Sequence, residues 1–289
     1  MSPAAEFSPS TTRPRPPWLR ALGRHEPPET LRIAGETYRC AARFKVDAFA
    51  ATAVYVPRPG SAIDPLADAD AVVVKFGRTA SAFGLPMAWI GAHLCGKERD
   101  MHRRLAGIAA VPAAVDRLES PGRAFRHTLV RRYVPGRTLR EVPAEELPDD
   151  FFAKLDVLLD QVHARGVAVM DLNKAENVLV DATGRPHLID FQLSVRRGVP
   201  ADRRWWAWVP GSAWWLGVLQ GCDRFYIAKH FAHAQPQAFA QTHGDLDELR
   251  PRLTRVWRRF TLPLRALRRQ LLVGLKVRRG RGTADTEFS

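Results

Sequence analysis

Between residues 31 and 76 apolar and polar positions alternate in three runs, "TYRCAARFKV", "ATAVYV" and "AVVVKF", which predict three strands. The stretch "RPGSAIDPLADAD" between the last two predicts a turn-rich loop. Over residues 85 to 106, "LPMAWIGAHLCGKERDMHRRLA", the period lengthens and sets Leu94, Met101 and Leu105 on one stripe of a helix. "FRHTLVRRYV" returns to strand character. "PDDFFAKLDVLLDQVHARG" predicts an amphipathic helix, with Asp149 or Asp150 placed to cap it and Gly166 to stop it. Residues 167 to 192, "VAVMDLNKAENVLVDATGRPHLIDFQ", follow as two short strands around the turn "DATGRP". "GCDRFYIAKHF", residues 221 to 231, predicts a further helix, with Lys229 and His230 as surface groups. No internal repeat is visible. The pattern is strands, a helix and strands to about residue 135, then a mostly helical remainder.

A chain of 289 residues, 46% apolar, is enough for one two-lobed domain or two small ones. Its net charge of +14 points to anionic partners. Cys40, Cys95 and Cys222 are odd in number and far apart, which suits a reduced compartment and neither a disulfide framework nor a zinc site. "MSPAAEFSPSTTRPRPPW" is rich in Pro, Ser and Thr, so residues 1–30 are expected to form a disordered tail, and the protein to be cytoplasmic. The uncharged run at 205–222 sits at the lower edge of membrane-spanning length, yet it holds Pro210, three glycines and five tryptophans. A buried or membrane-grazing segment is the expectation there. Residues 250–282 carry twelve Lys or Arg and no acid, with Leu253, Val256, Trp257, Phe260, Leu264, Leu267, Leu271 and Leu275 at helical spacing broken by Pro263. That segment suits a helix packed on the second lobe or one lying on an anionic membrane surface. No base-reading motif accompanies it, so a nucleic-acid partner is not expected.

Asp171, Asn177 and Asp190 lie among apolar residues, where a carboxylate is costly unless paired or metal-bound. The segment between them, "NVLVDATGRPHLID", reads as a hairpin that returns Asp190 to Asn177 around a cation. Phosphoryl transfer needs that set: one carboxylate beside the attacking hydroxyl and oxygen ligands for magnesium. Here the sequence resembles the protein-kinase-like family, whose catalytic loop runs H-R-D-L-x-x-x-N and whose metal-binding Asp begins D-F-G. The resemblance implies that Asp171 is the catalytic base, that Lys174 reaches the γ-phosphate, and that Asn177 and Asp190 ligate Mg2+. Lys75, ending "AVVVK", resembles the V-A-I-K lysine that holds the ATP phosphates. Its implied partner is Glu98 on the next helix, preferred to Asp100 for its longer side chain. "GIAAVPAAV" followed by "HTLVRRYVPGRTL" resembles the hinge strand, so backbone groups of Arg132, Tyr133 and Val134 are expected to bond adenine.

Several departures narrow the resemblance, which covers about residues 40 to 195. Val169 and Met170 replace the usual His-Arg, and Asp171 to Asn177 spans six positions where the motif spans five, so a one-residue bulge is expected. "DFQ" replaces D-F-G, and no A-P-E follows within 60 residues. Compact bacterial lipopolysaccharide-core-kinase-like and RIO-like proteins resemble the chain better than peptide kinases do. The phosphate-covering stretch, "KVDAFAATAVYV", has Ala48, Ala50 and Ala51 and no glycine, so its nucleotide contacts should be fewer or differently shaped. The implied fold is α+β and two-lobed: a small antiparallel-sheet N-lobe at 31–132, a mainly helical C-lobe at 133–260, and a basic amphipathic segment at 261–289. The implied reaction moves the γ-phosphate of ATP to a hydroxyl, by default a protein Ser or Thr. A lipopolysaccharide-core or lipid-linked sugar at the inner membrane face is the alternative acceptor, and a catalytically weak pseudokinase scaffold the non-enzymatic one.

Overall fold

A computed structural model of the chain describes residues 16–57, 70–82, 84–115, 118–119, 127–197, 212–246 and 248–249. The basic segment 250–282 and the first half of the tryptophan run, 205–211, lie outside them. The described residues divide into two compact units: 16–97 with 114–133, and 98–113 with 134–249.

The first unit is built on a six-stranded antiparallel sheet of order β5-β1-β2-β3-β4-β6. Its strands are β1 (Thr30–Ile33), β2 (Glu36–Val46), β3 (Ala50–Val56), β4 (Val72–Gly77), β5 (Leu118–Glu119) and β6 (Thr128–Arg132). The three expected runs became β2, β3 and β4, displaced by a residue or so at their ends. The "VVV" of β4 is buried on both faces. Val72, Val74 and Phe76 join a core with Leu31, Ile33, Ala53 and Tyr55, while Val73 packs with Val54 and Ala71 on the other face. Burial on both faces explains why this strand reads as continuous apolar sequence where β2 alternates.

Helix α1 (Ala88–Arg104) follows β4, and its residues up to Lys97 belong to this unit. It meets the sheet end without a side chain between them. A Cβ on Gly91 would overlap the backbone of Arg78, and one on Gly77 would come within 2.7 Å of the Cys95 sulfur and the Gly91 carbonyl. Cys95 also donates to the His127 carbonyl at 3.3 Å.

Part of the expected tail lies among the described residues. Residues 16–25 form a 3-10 turn at Pro17–Leu19 and then bond into the sheet. Ala21 is fully buried; its N–H donates to Asp47 O at 2.8 Å, and its carbonyl accepts from Thr79 and Ala80. Tertiary hydrogen bonds, which Pro and Ser content does not report, hold the segment down.

The second unit is mainly helical. Helix α2 (Phe151–Ala164) buries Phe151, Phe152, Leu155, Leu158, Leu159 and Val162 along one stripe. Gly166, at φ 69°, ends its last turn as expected. Asp150 stands at the N-cap without a side-chain capping bond and pairs with Lys154 at 2.8 Å. The hairpin of β9 (Val178–Val180) and β10 (Pro186–Leu188) shares a sheet with β7 (Arg137–Thr138), and β8 (Val167–Ala168) pairs with β11 (Val195–Arg196). Helices α3 (Ser212–Ala234) and α4 (Pro236–His243) complete the unit. Its core joins α2 to Val167, Val169, Leu172, Val178, Leu188, Phe191 and Ile227. The architecture is α+β: an antiparallel sheet with one helix, then helices around a short hairpin.

Candidate functional site

Lys75 lies on β4 opposite Thr52 of β3 and Leu129 of β6. Alternation along the strand puts it on the face of Val73 and Ala71, beside the small apolar cluster those residues form with Val54. Glu98 is buried on α1, at 1% exposure. Asp100, two residues on, is half-exposed and takes Arg196 Nε at 2.9 Å.

Arg132 ends β6 opposite Val72, and its side chain points out beside Asp70, 3.8 Å away. The Tyr133 N–H donates to Ala71 O at 2.9 Å. That donor is therefore spent within the first unit.

The turn between β2 and β3 is the stretch expected from the sequence to cover the phosphates. Asp47 closes it: Oδ1 accepts from the N–H of Phe49 at 2.7 Å and of Ala50 at 2.8 Å. The Asp47 N–H donates in turn to Ala50 O at 2.9 Å, and Lys45 pairs with Oδ2 at 2.9 Å. Burial opposes ionisation of Asp47, but Lys45 and the two backbone donors outweigh it and hold the carboxyl below its ordinary range. From the other side Arg78, 3% exposed, donates to the carbonyls of Ala48 at 2.6 Å, Trp18 at 2.7 Å and Ser81 at 3.2 Å. Three carbonyls around one guanidinium make a buried charge tolerable.

In the second unit the opening of the loop after β8 is fixed from α3. Asp223 is fully buried. Its carboxylate accepts the N–H of Val169 at 2.7 Å and of Met170 at 2.8 Å, with His163 Nε2 at 3.2 Å. Met170 sits at φ 70°, a left-handed conformation unusual for its type. Further along α3, His230 Nε2 meets Leu172 O at 2.8 Å and Lys229 reaches Asn173 Oδ1 at 3.3 Å. Lys229 is exposed as expected, but His230 is half-buried and bonded to the loop rather than a plain surface group.

Asp171 emerges from this anchored stretch and pairs with Lys174 Nζ at 2.5 Å. Asn177 is buried, and its Nδ2 donates to Asp171 O at 3.0 Å. The extra residue between them is absorbed by a 3-10 turn at Ala175–Asn177, with Asn177 N–H on Lys174 O, and not by a bulge. The β9–β10 hairpin pairs Val178 with Leu188, and the Ile189 N–H donates to Asn177 O at 3.2 Å. Asp190 therefore follows directly on the residue bonded to Asn177, and its Oδ1 accepts the Gln192 N–H at 3.0 Å. Phe191 is buried edge-on to His102, with ring centroids 5.2 Å apart.

This oxygen set suits a hard cation. With Nδ2 committed to Asp171 O, the Asn177 side chain has its oxygen for a ligand atom. Among the described residues no group of three or more His, Cys, Asp or Glu could hold a metal. A carboxylate and an amide, with phosphate and water completing the sphere, is the pattern Mg2+ favours over a dedicated protein cage.

Sequence reading missed Asp223 and Arg78. Asp223 left one trace: it is the first charge after the run at 205–222, a lone acid in an apolar helix. Trp214 and Trp215 open α3 and are 64% and 47% exposed, their rings 5.1 Å apart. Among the described residues no helix is long and apolar enough to cross a membrane.

No protein-family model and no curated protein matches the chain. Two structures of one protein are among the solved structures similar to it. One is the Rio2 kinase from Chaetomium thermophilum as its ADP/Mg2+-phosphoaspartate complex, at 17% identity and a TM-score of 0.45 over 67% of this chain. Another is a second structure of that kinase, at 18% identity and a TM-score of 0.44 over 68% of this chain. The chain spans 56% and 58% of the length of these two proteins.

Proposed function

We propose that this chain binds Mg-ATP and transfers the γ-phosphate to a hydroxyl. The observation that carries the reading is the linked set Asp171–Asn177–Asp190, tied by Asn177 Nδ2 to Asp171 O and by Asn177 O to the Ile189 N–H. In the transfer, the bond from the γ-phosphorus to the β,γ-bridging oxygen breaks and one to the acceptor oxygen forms. Asp171 orients the acceptor hydroxyl and takes its proton; Lys174 and Lys75 offset charge on the phosphates. Mg2+, held by Asn177 and Asp190, would supply charge neutralisation at the phosphate oxygens. Val134 and the adjoining carbonyls would meet adenine, and Glu98 would position Lys75.

The test is incubation with γ-labelled ATP and Mg2+ in the presence of separated cytosol and envelope fractions. The expected result is label transfer by the natural chain and none by Asp190→Ala; equal transfer by both would overturn the site. A protein Ser or Thr is the default acceptor. The exposed Trp214–Trp215 pair favours a second reading, a lipid-linked hydroxyl at a membrane face, since indole rings sit well at headgroup level. Flotation with anionic liposomes separates the two: no binding removes the membrane reading. A scaffold without turnover is favoured by the glycine-free turn, and label transfer by the natural chain would exclude it.

A further inference from the structure

A glycine-rich phosphate loop works because its backbone N–H groups are unspent and can turn toward the nucleotide. The β2–β3 turn has spent three of them. Phe49 and Ala50 donate to Asp47 Oδ1, and the Asp47 N–H donates to Ala50 O. Arg78 holds the Ala48 carbonyl from behind, so the turn is fixed on both sides. All of this lies in the same unit as Lys75. Ala50 pairs with Gly77, two residues along β4 from Lys75, about 7 Å along the strand.

We propose that Asp47 sets the nucleotide affinity of this chain: its carboxylate takes the place of a phosphate on the turn's own N–H groups, so the turn meets a triphosphate at Lys75 with a negative charge. The proposal rests on the nucleotide reading above. It makes Asp47 a built-in competitor that keeps ATP binding weak, with Lys45 partly neutralising it through the 2.9 Å pair. A residue that merely stabilised the hairpin would also cap the turn, but it would act through its oxygen and not its charge.

Asp47→Asn separates the two roles, because the amide oxygen still accepts both N–H groups while the charge is gone. Mg-ATP affinity is measured by calorimetry for the natural chain, Asp47→Asn, Asp47→Gly, Asp47→Asn with Lys45→Met, and Lys75→Met. Asp47→Asn is expected to bind roughly three- to tenfold tighter, a gain that shrinks as salt is raised. Its melting temperature without nucleotide should fall only modestly, because the lost Lys45 pair is partly exposed. Asp47→Gly, with its N–H groups released, is expected to bind at least as tightly, and adding Lys45→Met should return part of the gain. If Asp47→Asn binds no tighter while the natural chain binds in a Lys75-dependent way, the inference fails and the nucleotide reading stands. If none of the Asp47 variants nor the natural chain binds Mg-ATP, both fall. Should Asp47→Gly not fold, Asp47→Asn decides alone.

Discussion

Met170 holds its left-handed φ of 70° while donating its N–H to the buried carboxylate of Asp223 at 2.8 Å. The residue next to the proposed base is thus strained, and a carboxylate 53 positions away secures it. Strain of this kind persists only where surrounding contacts over-determine it, and Asp223 gathers three such contacts at once.

Removing that acceptor should loosen the loop. Asp223→Ala leaves two buried N–H groups and His163 without their partner and is expected to cost about 2 to 4 kcal/mol. Asp223→Asn keeps one acceptor oxygen and should lose about half as much. Urea denaturation monitored by fluorescence checks both, and turnover should fall with each.

Met170 itself offers a test of opposite sign. Met170→Gly relieves a strain of about 1 to 3 kcal/mol at the cost of roughly 0.5 to 1 kcal/mol in backbone entropy, so the variant should be as stable as the natural chain or slightly more so. Met170→Val, with a branched Cβ in the same conformation, should be clearly less stable. Paired denaturation midpoints settle the order.

Asn177 has two tasks that substitution can part. Asn177→Asp keeps an oxygen for the cation but loses the donor to Asp171 O, so turnover should fall roughly tenfold without a higher Mg2+ requirement. Asn177→Ala loses both functions, and its Mg2+ requirement should rise as well. Activity titrated against Mg2+ distinguishes the pair.

The grip of His230 on Leu172 O carries a pH signature. Burial lowers the imidazole below its ordinary value; the Leu172 carbonyl opposes this, the Lys229 charge and His233 add to it, and Glu176 opposes. With the folded value below the unfolded one, the unfolded chain takes the proton first. The contribution is therefore intact above the unfolded value of about 6.5 and is lost as pH falls from there through the folded value. Stability measured at steps from neutral to mildly acidic pH should decline, and less steeply in His230→Gln. An unchanged slope in the variant would assign the decline to other groups.

Local pattern carried much of this architecture. The strands β2, β3 and β4, helix α2 and the β9–β10 hairpin announce themselves because each is written by side-chain periodicity within a dozen or so residues. Lys75, Asp171, Asn177 and Asp190 stood out because charge or amide interrupted an apolar run. Asp223, Arg78 and the docking of Ala21 did not, since all their partners but Ser81 lie 26 to 60 positions away and leave no local rhythm. His230 looked like a surface group because its imidazole meets a main-chain carbonyl, and carbonyls have no letter in a sequence. That the Tyr133 N–H is already bonded to Ala71 O was hidden for the same reason: whether a backbone N–H is spent depends on which segment lies alongside.

Where a helix rests on a sheet through long side chains, those chains can repack and let it roll. Gly91 against the Arg78 backbone, with Gly77 and Cys95 beside it, leaves no compliant layer to deform. The first turns of α1 are keyed to the sheet end like a dowel, so any side chain added at Gly77 or Gly91 would have to pry the two apart.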